Sequence, residues 1–457
     1  MRASDAFSWY MERDPALRST VVVVAWLDRN PDWDLLVARL DRASRLIPSL
    51  RQRVVESPLA FAAPRWTYDR DFDLSWHIRR VTVSAPRSRD AVLEFARLAA
   101  MGSFDRDRPL WEVTLVEGVE GGGAAFVMKF HHSLSDGVGG MMMLPVIFDL
   151  KRKADDLGAM PPAPPGEIFG WREQLAGWAS STLAGSAAAA VRAGGSVVPA
   201  LLRSARDPLG AVRGVTGMAG SVYRTAAPIS DTKSPVMRDR AMTRRLAMLD
   251  VPLAALRAAA ETVGGTVNDG YLAAMTGGLR RYHELHGVGV DKLRVTMPIS
   301  IRSRGDATPG NRITLMRLTL PVAEADPAAQ MRSLHSVTEA ARHEPSLPVT
   351  NTIAGALNLL PAAYVGGVLK HVDFLASNVP GVQVPVYLAK SKVTELFAFG
   401  PTIGTALNAT LVSYAGTCHI GLNIDTAAVP DPEVMIGCLR ESLAELAALA
   451  GSPAGRA

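Results

Sequence analysis

The segment KFHHSLSDGVGG, residues 129–140, holds the residues best suited to chemistry in this chain of 457 residues. It follows a predicted strand, AAFVMKF, whose side chains alternate between two faces. The alternation places His132 on the more apolar face and His131 on the opposite one. A neutral imidazole at a strand end, with an acid a few residues further on, suits general-base catalysis near neutral pH. We therefore predict that His132 is a general base and that His131 is structural.

Two other interpretations of these histidines, a structural core residue and a metal ligand, are less favoured than catalysis. A lone histidine is more often a satisfied core residue, but the Asp136-Gly137 turn and the glycines after it favour a functional site. A metal site is disfavoured, because histidines on opposite faces cannot bind one ion together without a bulge and no third-ligand cluster is nearby. The chain has no nucleophile elbow, Walker loop or dinucleotide fingerprint, which argues against a covalent serine enzyme. We expect neither a metal nor a cofactor.

The elements that must position this segment show both helical and strand periodicity, which predicts a mixed α/β fold. Strands are predicted at 19–27, 110–117, 124–132, 292–297 and 312–320, with further strands between His371 and Asp425. Helices are predicted at 32–47, 90–100, 251–262, 267–286, 327–343, 351–366 and 431–449, the first capped by Asn30 or Asp32.

Length and composition predict two packed domains joined by a connector. The predicted limits are 1–170, 171–245 for the connector and 246–457. The connector is rich in Ala, Gly and Ser, and residues 192–245 carry ten basic against three acidic residues, an excess of +7. Such a segment is either a solvated helical linker or a surface for anionic lipid.

Composition also bears on the compartment and on the partners. The two cysteines, Cys418 and Cys438, cannot form a disulfide framework, which favours a reducing compartment. The charged start MRASDAFSWYMERD lacks the apolar run of a signal peptide, so we expect a cytoplasmic protein that begins at Met1. The long uncharged stretches do not resemble bilayer spans. A net charge of +5 is modest at this length and predicts no nucleic-acid partner.

Several segments together resemble one known family along nearly the whole chain. HHSLSDG resembles the HHxxxDG motif of the CoA-dependent acyltransferase superfamily, which includes chloramphenicol acetyltransferases and the condensation domains of peptide synthetases. The other segments resemble the bacterial wax ester synthase/diacylglycerol acyltransferase family within it. They are SDAFSWYMER, PSLRQRV, PLWEVTLVEG, NDGYLAA, MPISIR, GNRITLMRLTLP, SNVPG and ALNATLVSYAG.

The resemblance implies a fold, a reaction and partners. The fold would be two chloramphenicol acetyltransferase-like domains with the active site between them. The reaction would be transfer of a long-chain acyl group from acyl-CoA, as co-substrate, to diacylglycerol or a long-chain alcohol. The alternatives are an acyltransferase for a specialised, polyketide-like alcohol and a catalytically silent lipid-surface protein. A peripheral position on the inner membrane face or on lipid droplets would fit this chemistry.

The resemblance also implies roles for individual residues. His132 would remove the proton of the acceptor hydroxyl, and Asp136 would be a structural part of the catalytic motif, turned away from the substrate. Arg51, in the LRQRV stretch, would pair with Asp136, while His131 and Gly137 would support the turn. Asn268 and Asp269 match a second motif, which either supports the active-site wall or forms a helix-cap network. Candidates for the substrate tunnel are Pro109, Leu110, Trp111, Ser377 and Asn378, although the first three fit core packing equally well.

Overall fold

The α/β class expected from the sequence is confirmed by a computed structural model. The residues that the structure describes are 1, 3–56, 64–135, 137–167, 231–300, 313–342 and 371–449.

The first half of the chain builds most of one six-stranded sheet and the helices around it. Its elements are α1 (Ala3–Met11), β1 (Thr20–Leu27), α2 (Trp33–Leu46), β2 (Gln52–Val55), β3 (Arg65–Tyr68), α3 (Leu74–His77), β4 (Ile78–Thr82), α4 (Arg89–Met101), β5 (Trp111–Glu117), β6 (Ala124–His131) and α5 (Gly137–Ile147). The Asp32 carboxylate accepts a hydrogen bond from the Leu35 amide, 3.2 Å away, and so caps α2 as predicted.

The second half builds another six-stranded sheet, in the order β7-β14-β13-β10-β8-β9. Its elements are β7 (Arg244–Pro252), α6 (Leu253–Glu261), α7 (Val267–Leu285), β8 (Lys292–Ser300), β9 (Ile313–Pro321), α8 (Pro327–Arg342), β10 (Phe374–Val379), β11 (Tyr387–Leu388), β12 (Ser391–Phe399), β13 (Leu407–Tyr414), β14 (Thr417–Asp425) and α9 (Pro432–Leu449). β10 runs parallel to β8 and β13, whereas β14 is antiparallel to β13 and β7.

One strand of the second half belongs to the first sheet. β12 pairs antiparallel with β1, and the order of that sheet is β11-β12-β1-β6-β5-β4. The residues that pack around it form a core shared by both halves, with Leu36 and Trp111 from the first half and Leu396 and Val412 from the second. The chain segment from β11 to β12 therefore joins the two halves.

The structural boundaries differ from the predicted domain limits in two places. β12 lies in the first sheet although it belongs to the predicted 246–457 domain, because its pairing with β1 is a long-range contact. β7 begins at Arg244, inside the predicted connector, and extends to Pro252, where a helix was predicted from 251. Arg244 and Arg245, which belong to the basic residues that suggested a connector, are the first two residues of this strand, and Leu246 and Leu249 after them are buried. Connector residues 171–230 and the predicted helix 351–366 lie outside the described residues.

Candidate active site

His132 is the first residue after β6 and starts the turn that leads to α5. Its backbone amide donates to the Ser19 carbonyl at 2.8 Å, and the Leu134 amide donates to the His131 carbonyl at 2.9 Å. Its half-buried side chain lies on the wall of a cavity together with Phe130 and Met128. The side chains of His132 and the alternate residues of β6 thus share one face, as the strand periodicity predicted.

The cavity has a volume of about 160 Å³ and lies between the two sheets. One wall is a continuous row across three paired strands, since Val23 of β1 pairs with Met128 of β6 and with Ala398 of β12. The opposite wall is formed by alternate residues of β10 and β13, and α5 contributes Met143 and Ile147. A cavity lined mainly by aliphatic and aromatic side chains suits an acyl chain.

The wall from the second sheet also carries polar groups. Asn408 donates through Nδ2 to the Pro401 carbonyl at 2.7 Å and accepts at Oδ1 from the Thr410 hydroxyl at 2.9 Å. Ser377 is paired in register with Thr410 and lines the same cavity. Its hydroxyl has no hydrogen-bond partner among the described residues. Sequence reasoning nominated Ser377 but missed Asn408 and Thr410, although both alternate with apolar residues along β13.

His131 lies on the other face of β6 and is fully buried. Its Nδ1 accepts a hydrogen bond from the Ser133 amide at 3.1 Å and lies 2.7 Å from the Ser133 hydroxyl. The Trp9 and Phe104 rings contact the imidazole in edge-on geometry, with centroids 6.2 and 6.1 Å away. These contacts agree with a structural role, and they hold the turn that begins at His132.

Arg51 has partners other than the one that the resemblance implies. Its Nη2 donates to Asp41 at 2.9 Å, its Nε donates to the Ser44 hydroxyl at 3.0 Å, and its guanidinium lies 4.3 Å from the centre of the Phe72 ring. These contacts join the start of β2 to α2. Asp136 lies outside the described residues, so its pairing with Arg51 stays a prediction. Gly137 is the first residue of α5.

Asp269 belongs to a helix-cap network, which was one of its two predicted roles. Thr266 and Asp269 form a capping box at the start of α7, and the Asp269 carboxylate also accepts from Thr338 and pairs with His335 of α8. Burial by itself would raise the pKa of Asp269, but these hydrogen bonds outweigh it and hold the pKa below the ordinary value. The neighbouring Asn268 lies 3.5 Å from the exposed Asn378 of β10, next to Ser377.

Pro109, Leu110 and Trp111 are buried at the start of β5. Trp111 donates from Nε1 to the Leu50 carbonyl at 2.8 Å and stacks on the His77 ring, with centroids 4.5 Å apart. These contacts place the three residues in the core of the first half and outside the described cavity lining. These contacts fit the core-packing alternative, and a role of the three residues along the acyl path stays a prediction.

In the part of the chain that the structure describes, no group of three or more His, Cys, Asp or Glu side chains is arranged to hold a metal ion. Nor does this part of the chain contain a helix that is both long and apolar enough to span a bilayer.

Comparison with known proteins identifies the family. Residues 1–271 match the model of the wax ester synthase/diacylglycerol acyltransferase catalytic domain, and residues 309–447 match that of the C-terminal domain of the same family. The chain belongs to the wax ester synthase/diacylglycerol acyltransferase family. It is therefore an acyltransferase of the HHxxxDG superfamily, as the resemblance implied.

Individual relatives agree with this assignment. A putative diacylglycerol O-acyltransferase of Mycobacterium tuberculosis is 37% identical over 448 residues, which cover 97% of this chain and 91% of that protein. The wax ester synthase/diacylglycerol acyltransferase of Marinobacter aquaeolei VT8 has a similar fold, with a TM-score of 0.63 and 22% identity over 98% of this chain and 99% of that one. The first condensation domain of the calcium-dependent antibiotic synthetase has a TM-score of 0.63 and 15% identity, over 100% of this chain and 96% of that one.

Proposed function

We propose that this acyltransferase moves a long-chain acyl group from acyl-CoA to the hydroxyl of diacylglycerol or of a long-chain alcohol, which gives triacylglycerol or wax ester. The observation that carries the proposal is the His132 side chain on the wall of an apolar cavity between the two sheets. Relatives named as diacylglycerol O-acyltransferases support the acceptor class. A starter condensation domain of similar fold, solved in complex with C8-CoA, supports a CoA thioester as donor.

In this proposal His132 is the general base. Neutral His132 accepts the proton of the acceptor hydroxyl while the hydroxyl oxygen attacks the thioester carbonyl carbon. The tetrahedral intermediate collapses with cleavage of the carbon–sulfur bond, and protonated His132 returns the proton to the CoA thiolate. The products are an ester and free CoA, without a covalent enzyme intermediate and without a cofactor.

The tetrahedral intermediate carries a negative oxygen, which needs a hydrogen-bond donor aimed at it. Of the polar side chains on the second-sheet wall, Thr410 already donates to Asn408, and Asn408 donates to Pro401. Ser377 lines the same cavity without a partner in the described part of the chain. We therefore assign the Ser377 hydroxyl as the oxyanion donor.

The same proposal includes a peripheral, cytoplasmic position on anionic membranes or lipid droplets. It is supported by the charge excess of +7 in residues 192–245 and by the apolar products, which leave the enzyme into lipid. Sedimentation with liposomes should increase with anionic lipid and decrease at high salt. Sedimentation that ignores both would leave residues 171–245 as a linker.

The test of the reaction is release of free CoA from palmitoyl-CoA by the purified protein. Release should require a hydroxyl acceptor and should give triacylglycerol with dioleoylglycerol or wax ester with hexadecanol. The His132→Ala variant should lose about a hundredfold to ten-thousandfold in kcat at an unchanged melting temperature, because it lacks the base. Near-parental kcat in that variant would exclude His132 as the base. Activity confined to a polyketide-like alcohol, or no activity with any hydroxyl acceptor, would favour the two alternative functions.

A further inference from the structure

Glu12 lies directly after α1, in the segment SDAFSWYMER, and its carboxylate is almost completely buried beside the catalytic turn. Its Oε2 accepts a hydrogen bond from the Ser19 amide at 3.0 Å and lies 3.3 Å from Nε2 of His131. Arg18 approaches the other carboxylate oxygen at 3.8 Å. Glu12 Oε2 therefore lies next to two neighbours of His132: His131, which precedes it in sequence, and Ser19, whose carbonyl accepts from its amide.

The first connection runs through the His131 ring. Because the Ser133 amide donates to Nδ1, the neutral ring carries its proton on Nε2, the atom that faces Glu12. The ring is thus held at Nδ1 by Ser133, and its Nε2 faces the Glu12 carboxylate at 3.3 Å without a hydrogen bond of good geometry. His131 and Ser133 are the two sequence neighbours of His132, so a fixed ring at position 131 also fixes the turn in between.

The second connection runs through the backbone of Ser19, the residue that precedes β1. Glu12 accepts from the Ser19 amide, and the carbonyl of the same Ser19 accepts from the His132 amide at 2.8 Å. A shift of Ser19 would therefore shift the backbone of His132. Both connections end on the backbone that orients the His132 side chain toward the cavity.

We propose that Glu12 is a positioning residue that sets the orientation of His132 through His131 and Ser19. The inference rests on the proposed role of His132 as general base. A base must lie within hydrogen-bonding reach of the proton that it removes, and a displacement of about 1 Å at an active site can cost about a hundredfold in rate. Glu12 itself does not reach the cavity: it acts on the reaction by acceptance of hydrogen bonds, not by its charge at the substrate.

Comparison of Glu12→Gln with Glu12→Leu separates the effect of hydrogen-bond acceptance at position 12 from the effects of side-chain size and charge. Glu12→Gln keeps one oxygen that can accept from both Ser19 and His131, and it should retain kcat within about threefold. Glu12→Leu has a similar size but no acceptor, and it should lose about tenfold to a hundredfold in kcat while the KM for palmitoyl-CoA changes less than about twofold. Glu12→Asp, with a side chain shorter by one methylene group, should lose about tenfold in kcat, and it decides the question if Glu12→Leu is not recovered folded.

The matched control is Glu56→Leu. Glu56 also holds α1 and its C-terminal end, since it accepts from Trp9 at 2.8 Å and from Arg13 at 3.0 Å, but it has no contact with His131 or Ser19 in the described structure. Its loss should lower the melting temperature and leave the kcat of the folded protein unchanged. Equal losses of kcat in Glu56→Leu and Glu12→Leu would reduce Glu12 to general support of α1.

His132→Ala in the same assay separates the two proposals. If His132→Ala keeps parental kcat, the proposed base is wrong. If His132→Ala is inactive while folded Glu12→Leu and Glu12→Asp keep parental kcat, the base stands and the positioning role of Glu12 is wrong.

Discussion

At the scale of the residue, Ser377 and Thr410 offer a matched pair of hydroxyls on one cavity wall. Ser377→Ala should lower kcat by about a hundredfold to a thousandfold with little change in KM or melting temperature, because an oxyanion donor acts only in the transition state. Thr410→Val removes the hydroxyl that donates to Asn408 and should change stability more than kcat. Steady-state kinetics with palmitoyl-CoA and thermal unfolding of both variants make the comparison. A rise in KM with unchanged kcat in Ser377→Ala would instead show that the hydroxyl binds the substrate equally in the ground state and in the transition state.

A second prediction for individual residues concerns the contribution of the Arg51–Asp41 ion pair to stability. Arg51→Ala and Asp41→Ala should each lower the free energy of unfolding, and the double variant should lose less than the sum, with a coupling of about 1 kcal/mol. Urea unfolding of the four proteins measures this coupling. Additive losses would show that the 2.9 Å contact contributes nothing to stability.

His132, Arg51 and Glu12 show which residue contacts could be predicted from the sequence and which could not. The alternation of β6 was enough to place His132 on the cavity side, because a strand has a period of two whatever its neighbours are. The contacts of Arg51 with α2 depend on how distant segments meet, and no local pattern reports that. The proximity of Glu12 to His131 could not be predicted from local sequence patterns either, because the two residues are far apart in the sequence.

At the scale of the element, β12 must approach β14 closely to reach the first sheet. A Cβ added at Gly421 of β14 would lie 2.1 Å from the Ala398 carbonyl of β12. Gly421→Ala should therefore destabilise the protein by about 1–3 kcal/mol or more, and it should lower activity because Ala398 lines the cavity.

Thermal unfolding and kcat of Gly421→Ala test this expectation, and the control is a glycine-to-alanine substitution in helix α9. A Cβ at Gly437 would meet no atom within 4 Å, so Gly437→Ala should be neutral or raise stability by up to about 1 kcal/mol through helix propensity. Parental stability in Gly421→Ala would mean that the two strands can separate without cost.

Long periodic elements were predicted to within a residue or two, as for α2 and α7, because many residues contribute to each pattern. Helix α1 and the short strands β2, β3 and β4 were not predicted. β4 illustrates the reason: only one of its five residues is buried, so it carries no clear alternation, and it pairs with β5 along a sheet edge. The start of α6 was placed two residues early, because the apolar residues at the end of β7 continue into the helix.

At the scale of the whole molecule, the position of β12 in the first sheet means that the first half does not complete its sheet without the second, and that one core is built by both halves. Arg89 of α4 reinforces the connection, with Nη1 2.8 Å from the Glu395 carboxylate of β12. A sequence can suggest two α/β halves, but the exchange of a strand between them is a long-range pairing that no local periodicity reports. We therefore expect the described halves to unfold together.

Buried histidines occur in both halves and at their junction, which gives this joint unfolding a pH dependence. His77 and His283 are fully buried, and the nearly buried His419 of β14 packs against Phe397 of β12 with ring centroids 4.8 Å apart. Burial lowers the pKa of all three below the ordinary value of 6.5. The unfolded chain therefore binds more protons than the folded protein below pH 6.5, and the stability present above that pH is lost as the pH falls.

The free energy of unfolding in urea should accordingly decrease between about pH 7.5 and pH 5.5, and a single transition should shift as a whole. Burial raises the pKa of the Asp149 and Asp373 carboxyls, which contribute to the pH dependence with the opposite sign. His419→Gln should reduce the slope, because the variant has no imidazole to protonate at the junction. A flat free energy across the window would show that the three histidines gain a proton as easily in the folded protein as in the unfolded chain. Two separate transitions would instead show that the halves unfold independently in spite of the shared strand.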